Sequence, residues 1–245
     1  MVRSNLNWGR IAGVALLTVV GGTLANAGTF SVNPVRIDFS PQRPTAIVQV
    51  ANLTNEPATV QVHVVRWTFD HDHEVYLPTD EVLLNPPIFT LRPNQKQVMR
   101  LGLRQPNSSS TEVAYRLILE EVPKRPAPGF VGLQTVLRIS IPVFAQPAGR
   151  VAPSVVWLAE RTTSGALKIT ASNRGNAHIR IRELQVATKG TDHPTVSKMA
   201  PEYLLPGQSQ TWTIEDKEFR DVPQIALIAR TDTGEIDEVL GPITR

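Results

Sequence analysis

The chain has 245 residues, a formal net charge of +3 and no cysteine. The net charge is small, and the arginines are scattered rather than gathered in an aromatic-rich basic stripe. Both features argue against nucleic acid as a partner. The lack of cysteine excludes disulfides, so packing alone must stabilise the fold. The length suffices for two β-sandwich domains of about a hundred residues each.

The N-terminal segment has the pattern of a secretory signal peptide. Arg3 and Arg10 precede an apolar run at residues 11–20, which ends near Ala25-Asn26-Ala27. A membrane anchor is the alternative, but an apolar run of about a dozen residues is too short to span a bilayer. We therefore predict a signal peptide over residues 1–27, cleavage after Ala27, and no membrane insertion of the mature chain.

Five segments of the first half alternate between apolar and polar residues with a period close to two, which is typical of strands. They are residues 45–53, 60–69, 97–103, 115–122 and 133–144. Clusters rich in proline, asparagine and serine separate several of them and favour turns. No segment keeps an apolar stripe at helical spacing for about a dozen residues. The predicted class is therefore all-β.

A composition break at residues 146–153, where two prolines enclose small residues, predicts a domain boundary. We place the first domain at residues 28–147 and the second at 148–245. The second half repeats the β pattern, with strands predicted at 155–159, 167–172, 178–186, 209–215, 224–230 and 235–240. Its turns carry Asn and Gly residues that favour left-handed conformations, at Gly165 and in Asn173-Arg174-Gly175-Asn176. This spacing favours a sandwich in each half, with barrels as the alternative.

The strongest candidate for a metal or catalytic cluster is the run Asp70-His71-Asp72-His73-Glu74. His71 and His73 share one face of a strand, but a metal site normally needs further ligands and a supporting shell. A solvated turn, between the strand that ends at Phe69 and a strand that begins at Val75, is the simpler interpretation. The other histidines, His178 among them, are isolated in sequence, and no motif for nucleophilic catalysis or phosphate binding is present. We expect no catalytic residue, no metal and no cofactor.

One apolar row stands out in the last predicted strand of the first domain. Its members share one parity: Leu133, Thr135, Leu137, Ile139 and Ile141. The fold can simply bury such a row. However, Pro142 lacks the amide donor that a central strand needs, which favours an edge position over part of the strand. An apolar edge invites pairing with a strand of another chain.

Four motifs follow one another along the chain. They are Leu91-x-Pro93-x-x-x-Gln97-x-x-Arg100, the strand at 115–123, Ile141-Pro142-Val143-Phe144-x-x-Pro147, and Asn173-Arg174-Gly175-Asn176-Ala177-His178. In this order they resemble the periplasmic pilus-assembly chaperones of the chaperone-usher pathway, the PapD-like family. The last motif is similar to the second-domain turn of the archaic or spore-coat-like branch.

The resemblance implies two immunoglobulin-like β-sandwich domains in a boomerang arrangement, located in the periplasm. It implies that the protein binds pilus or fimbrial subunits, lends its last first-domain strand to a subunit that lacks one, and delivers the subunit to an outer-membrane usher. The row from Leu133 to Ile141 matches the donated side chains. Burial at roughly 0.8 kcal/mol per CH₂ group is then expected to dominate affinity. Whether free copies cap one another as dimers is left open.

The resemblance also implies two basic residues that bind the terminal carboxylate of the subunit. Arg36 matches the first by position, and a guanidinium suits a carboxylate. Pro142 stands where the family has a lysine, so Arg138, on the same parity four residues earlier, is the expected substitute.

An interdomain ion network is implied as well. Glu112 and Asp232 match its acids, but Gln146 stands at the position of its central arginine, and Arg150 is the expected replacement. The proline-rich segment 123–131 is expected either to order on binding or to be an ordinary surface loop.

Two other classes of function stay open. An extracellular structural or adhesive protein would need a donor strand at its mature N-terminus, but residues 29–39 contain Pro34 and lead straight into the fold. A metalloenzyme built on His71 and His73 is the third hypothesis.

Overall fold

The computed structural model describes residues 30–70, 73–126, 128–129, 131–188 and 195–243. The predicted signal peptide lies outside these residues. Within them the chain forms seventeen strands and a single 3₁₀ turn at Lys217–Phe219. The described ranges contain no helix with the length and apolar character that a membrane span requires. The all-β prediction is confirmed.

The first domain contains two packed sheets. Their strands are β1 (Phe30–Asn33), β2 (Ile37–Phe39), β3 (Thr45–Asn52), β4 (Ala58–Asp70), β5 (His73–Pro78), β6 (Val82–Asn85), β7 (Ile88–Leu91), β8 (Lys96–Leu103), β9 (Val113–Glu121) and β10 (Arg138–Ala145). One sheet has the order β1-β3-β8-β6. The other has the order β2-β10-β9-β4-β5, and β7 also pairs with β4.

The core of the first domain follows from the alternation of side chains along its strands. On β9, Leu117 and Leu119 point inward and are at most 3% exposed. Leu117 lies opposite Ile141 of β10, which is also buried. Each such side chain contributes roughly 1.5–3 kcal/mol relative to exposure, so apolar packing replaces the missing disulfides.

The second domain repeats this architecture. Its strands are β11 (Val155–Arg161), β12 (Leu167–Asn173), β13 (Ile179–Thr188), β14 (Val196–Leu204), β15 (Ser209–Ile214), β16 (Ile225–Thr231) and β17 (Glu235–Leu240). They form sheets with the orders β11-β12-β15 and β14-β13-β16-β17. Trp157 and Trp212 stack between the sheets, with ring centroids 6.1 Å apart. Gly165 adopts the left-handed conformation predicted for it, with a φ of 87°.

The strand predicted at residues 133–144 was wrong at its start, because β10 begins at Arg138. The physical reason lies in the facing segment. Leu137 lies opposite Glu121, so continuing the hairpin would set Thr135 against Pro123, which has no amide to donate. The segment before Arg138 therefore leaves the sheet, and Leu133 is 97% exposed.

Five strands were not predicted at all: β1, β2, β6, β7 and β14. Four of them have only three or four residues, too few to establish a period of two. β14 is long enough, but Lys198, Pro201 and Glu202 interrupt its apolar pattern.

Candidate functional site

The edge of β10 is open over the first part of the strand. β9 pairs with β10 along its whole length, from Arg138 to Ala145. On the opposite side, β2 pairs in parallel with only the last three residues, beginning at Val143. Among the described residues, the segment 138–142 therefore has no strand partner on that side. This is the kind of edge that accepts a strand from another chain.

The alternation of hydrogen bonds shows which amides face this free edge. The amide of Glu121 donates to the carbonyl of Leu137 at 2.9 Å, and the amide of Gln146 donates to Phe39 of β2 at 2.9 Å. Since antiparallel partners alternate, the amides of Arg138 and Ser140 point towards the free edge. Pro142 faces the same edge and has no amide. The prediction that Pro142 occupies an edge position is confirmed.

The predicted apolar row is divided between core and solvent. Ile141 is 2% exposed and belongs to the core of its own domain, and Ile139 packs partly against that core. Leu137 is half-buried, whereas Thr135 and Leu133 are exposed. The exposed members of the row, Leu133 and Thr135, lie in the segment before β10, next to the free edge. Its role in binding stays a prediction.

The loop between β9 and β10 is held at a few points. Glu121 accepts a hydrogen bond from the amide of Leu137 at 3.3 Å, Lys124 pairs with Glu56, and Gln134 Nε2 donates to the carbonyl of Lys124 at 2.9 Å. The hydrogen bond and charge of Lys124 lower the pKa of Glu56. Ordering of this loop on binding stays a prediction.

Arg36 lies between the two domains, just before β2. Its Nε and Nη2 donate to Asp38 at 2.8–3.0 Å, and its Nη1 donates to Asp232 of the second domain at 2.9 Å. Burial opposes the charged form, but the hydrogen bonds and charges of the two aspartates outweigh it and raise the pKa of Arg36. The guanidinium is therefore a charged group between the domains, and its nearest partners, Asp38 and Asp232, already neutralise it.

Arg138 lies elsewhere. It is largely exposed and pairs with Glu120 of β9 at 3.1 Å. Arg36 precedes Ile37, which lies opposite Val143, so Arg36 is level with Pro142, four residues along the strand from Arg138. At 3.3 Å per residue this separation is about 13 Å. The structure does not bring Arg36 and Arg138 together around one carboxylate.

A histidine, and not Arg150, joins the acids of the interdomain network. Glu112 Oε1 accepts hydrogen bonds from His178 Nδ1 at 2.7 Å and from the His178 amide at 3.0 Å. His178 Nε2 lies 3.8 Å from Asp232. The expected replacement by Arg150 was wrong, because Arg150 lies in the linker, where its carbonyl accepts a bond from Asn176. Sequence offered one signal for His178, its place at the end of the 173–178 motif.

An aromatic cluster fills the space beside this network. Tyr203 lies 5.5 Å from Phe144 and 5.8 Å from Trp67, measured between ring centroids. The guanidinium carbon of Arg116 lies 3.7 Å from the Trp67 ring, and that of Arg180 lies 5.0 Å from the Tyr203 ring. Sequence analysis missed this cluster, because its members come from five different strands.

The two arginines of the cluster have unused donors. The Nε atoms of Arg116 and Arg180 are buried without a hydrogen-bond partner. Stacking on aromatic rings stabilises their charge, by about 0.5–2 kcal/mol for such contacts. This part of the interface between the domains therefore holds guanidinium groups as well as aromatic rings.

Two of the five residues of the predicted metal cluster, His71 and Asp72, fall outside the described residues. Asp70, the last residue of β4, pairs with His73, the first residue of β5. The part of the chain that the structure describes holds no group of three or more side chains suited to a metal ion.

The fold and this edge define a class of protein: two immunoglobulin-like β-sandwiches, with an open edge strand beside the cleft between them. The family model "Pili and flagellar-assembly chaperone, PapD N-terminal domain" matches residues 29–150. The chain belongs to this family of pilus-assembly chaperones. Among curated protein sequences, none matches the chain.

Solved structures share the fold over both domains. The archaic CsuC–CsuE chaperone–tip adhesion subunit complex of Acinetobacter baumannii matches at 20% identity and a TM-score of 0.62, covering 89% of this chain and 99% of that one. The Salmonella enterica SafB chaperone, solved in complex with the SafA pilin, is 19% identical with a TM-score of 0.61, and the match covers 86% of this chain and 96% of that one. The E. coli chaperone DraB is 16% identical with a TM-score of 0.58, and the match covers 86% of this chain and 98% of that one.

Proposed function

We propose that this chain binds pilus subunits along the free edge of β10 and delivers them to an outer-membrane usher. The observation that carries the proposal is the pairing of β10, whose residues 138–142 lack a partner on one side among the described residues. A subunit that lacks its last strand would take the backbone groups of Arg138 and Ser140 as a template.

Apolar burial supplies the affinity in this proposal. The exposed residues of the row, Leu133 and Thr135, precede the edge directly, and Leu137 leads into it. Burying a leucine side chain contributes roughly 1.5–3 kcal/mol, before the cost of ordering the segment. Backbone hydrogen bonds at the edge then fix the register of the added strand, since a shift by one residue would turn the row to the opposite face.

The cleft supplies a second contact for the subunit. Nη1 and Nη2 of Arg36 each carry a second N–H beyond their bonds to Asp232 and Asp38, so Arg36 is the proposed contact for a terminal carboxylate. Because Arg138 is about 13 Å away along the strand, one carboxylate does not reach both arginines. We propose that Arg138 contacts the subunit farther along the edge.

The remaining parts of the proposal concern location and chemistry. The signal-like pattern of residues 1–27 supports secretion to the periplasm and cleavage after Ala27. The likeness to the archaic Csu chaperone supports assignment to the archaic branch. We propose that the protein is a chaperone without enzymatic activity, and that its domains comprise residues 28–147 and 148–245. Whether free copies cap one another as dimers stays open.

The test is retention of a subunit in the periplasm. Candidate pilus subunits from the genome that encodes this chain are tagged and co-expressed with the full chain, and the amount of chaperone that co-purifies is measured. We expect the parent chain to be retained and Leu133→Asp to reduce retention at least tenfold. Leu133 is 97% exposed, so this change leaves the free protein folded.

Val136→Asp is the matched control. Val136 lies in the same segment, is 47% exposed and has the opposite parity, so its side chain does not belong to the row. We expect this variant to retain the subunit nearly as well as the parent. Equal retention by both variants, or no retention by the parent, would contradict the proposal.

A further inference from the structure

The turn at residues 173–178 is rigid by its own hydrogen bonds. Asn173 is fully buried, and its Nδ2 donates to the carbonyls of Ala177 and Leu204, both at 2.8 Å. Its Oδ1 accepts the amide of Gly175 at 2.9 Å. One side chain thus closes the turn between β12 and β13 and ties it to the end of β14.

Asn176 extends from this rigid turn to two other segments. Its Nδ2 donates to the carbonyls of Ser110 at 3.0 Å and Arg150 at 2.9 Å, and its Oδ1 accepts the amide of Ala152 at 2.8 Å. The amide of Glu112 in turn donates to the Asn176 carbonyl at 2.8 Å. One residue of the second domain therefore binds the linker and the β8–β9 connection of the first domain.

Gly175 allows this close approach. A Cβ atom at this position would lie 2.3 Å from the carbonyl oxygen of Ala152 and 2.5 Å from the amide nitrogen of Ser154. The prediction that this turn uses Gly175 for a left-handed conformation was wrong, because its backbone is not in that region. The glycine is needed for space, since the linker backbone occupies the place of a side chain.

His178 completes the contact on the side of the candidate site. Its ring stacks on Phe144 of β10 with centroids 3.6 Å apart and an interplanar angle of 12°. Its hydrogen bonds to Glu112 are buried, with both side chains at most 5% exposed. The last residues of β10 are therefore shared between the edge strand and the second domain.

We propose that the turn at residues 173–178 is a clamp that gives the two domains one fixed orientation before any subunit binds. Asn176 and His178 are its positioning residues: they hold the second domain against β10 and so set the position of the cleft beside the free edge. Domains joined by a linker move relative to one another unless their interface is well made. A cleft that is already positioned spares the subunit the cost of ordering it.

The distance between the domains tests this directly, because the chain has no cysteine and accepts two introduced labels cleanly. Ile47→Cys and Leu158→Cys place spin labels on exposed sites, one in each domain. We expect a single narrow distance distribution in this labelled parent. Asn176→Ala and His178→Ala should each widen it at least twofold, while far-UV circular dichroism stays unchanged.

Two further variants separate clamping from general stability. In His178→Gln, the amide group still donates to Glu112, so this variant should keep most of the narrow distribution. Thr233→Ala removes a hydrogen bond between the hydroxyl groups of Thr231 and Thr233, which lies within the second domain, and should leave the distance unchanged. A distribution that is already broad in the parent, or that stays narrow in both alanine variants, would overturn the clamp.

The effect on subunit retention rests on the proposed function, whereas the distance measurement does not. If the parent retains a subunit, we expect Asn176→Ala to reduce retention at least fivefold although β10 is untouched. If Asn176→Ala broadens the interdomain distance distribution but retains the subunit as well as the parent, the domain orientation does not position the binding site. If the parent retains no subunit, the proposed function fails and the distances alone decide on the clamp.

Discussion

Arg36 Nη1 donates to Asp232 Oδ2 at 2.9 Å, and this ion pair joins residues that are 196 positions apart and belong to different domains. The carboxylate of Asp232 also accepts the amide of Arg180 at 2.8 Å, so it is fixed from its own domain. Asp38 holds the other side of the guanidinium. Arg36, which the family resemblance assigns to carboxylate binding, is therefore also a structural link between the domains.

A double-mutant cycle on Arg36→Gln and Asp232→Asn measures this link. Arg36 is about one-third exposed, so solvent screens the pair, and we expect a coupling of about 0.5–1 kcal/mol in the free energy of unfolding by urea. The coupling should shrink between 0.05 and about 0.5 M salt. Additive effects of the two changes would contradict an interdomain ion pair.

Ile139→Asp should abolish subunit retention and also destabilise the free protein. Ile139 packs partly against the core of its own domain, so a charge there should cost about 2 kcal/mol in the free energy of unfolding. Leu137→Asp should abolish retention at a smaller cost, because Leu137 precedes the strand. Urea unfolding and co-purification of the same variants check both effects. If both variants still bind the subunit, the donated strand does not explain binding.

Phe144→Ala should be the most damaging change at the domain interface. Phe144 is fully buried and contacts Trp67, His178 and Tyr203. Removing a fully buried phenylalanine costs about 3–5 kcal/mol. Calorimetric unfolding should show this loss. A cost below about 1 kcal/mol would mean that the cluster contributes little to stability.

Because of Tyr115, we expect the folded protein to lose stability at alkaline pH. Burial first, and then the hydrogen bond that its hydroxyl donates to Glu81 at 2.9 Å, raise the pKa of Tyr115. An unfolded tyrosine ionises near pH 10, so above about pH 10 the unfolded chain loses a proton that the folded protein keeps. Stability therefore falls as the pH rises through this range.

The variant Tyr115→Phe checks this dependence. It lacks the hydrogen bond to Glu81 and should be less stable than the parent at pH 7, by about 1 kcal/mol. Its free energy of unfolding should fall less steeply than that of the parent above about pH 10. Parallel curves for the two proteins would exclude Tyr115 as the source.

The sequence predicts those parts of the fold in which one local rule dominates. Strands β3 and β8 and the first half of β4 have a clear alternation because one face of each is buried. Pro142 indicates an edge because a missing amide is tolerated only where no strand needs it. The assignment of Arg36 rests on the resemblance to the pilus-assembly chaperones.

The start of β10 and the cleft do not follow from local patterns. β10 begins at Arg138 because of Pro123 on the facing segment, which periodicity within residues 133–144 does not reveal. The cleft depends on contacts between distant residues, such as His178 with Glu112. An isolated histidine in the sequence becomes a buried link only when two domains meet.

The central claim, that β10 offers an open edge which a subunit closes, is tested most directly by amide hydrogen exchange at Arg138 and Ser140. In the free protein these two amides should exchange within seconds, whereas that of Ile141, which faces β9, should be protected. On capture of a subunit, exchange at both should slow at least a hundredfold. Protection already present in the free protein, or none gained in the complex, would contradict the account.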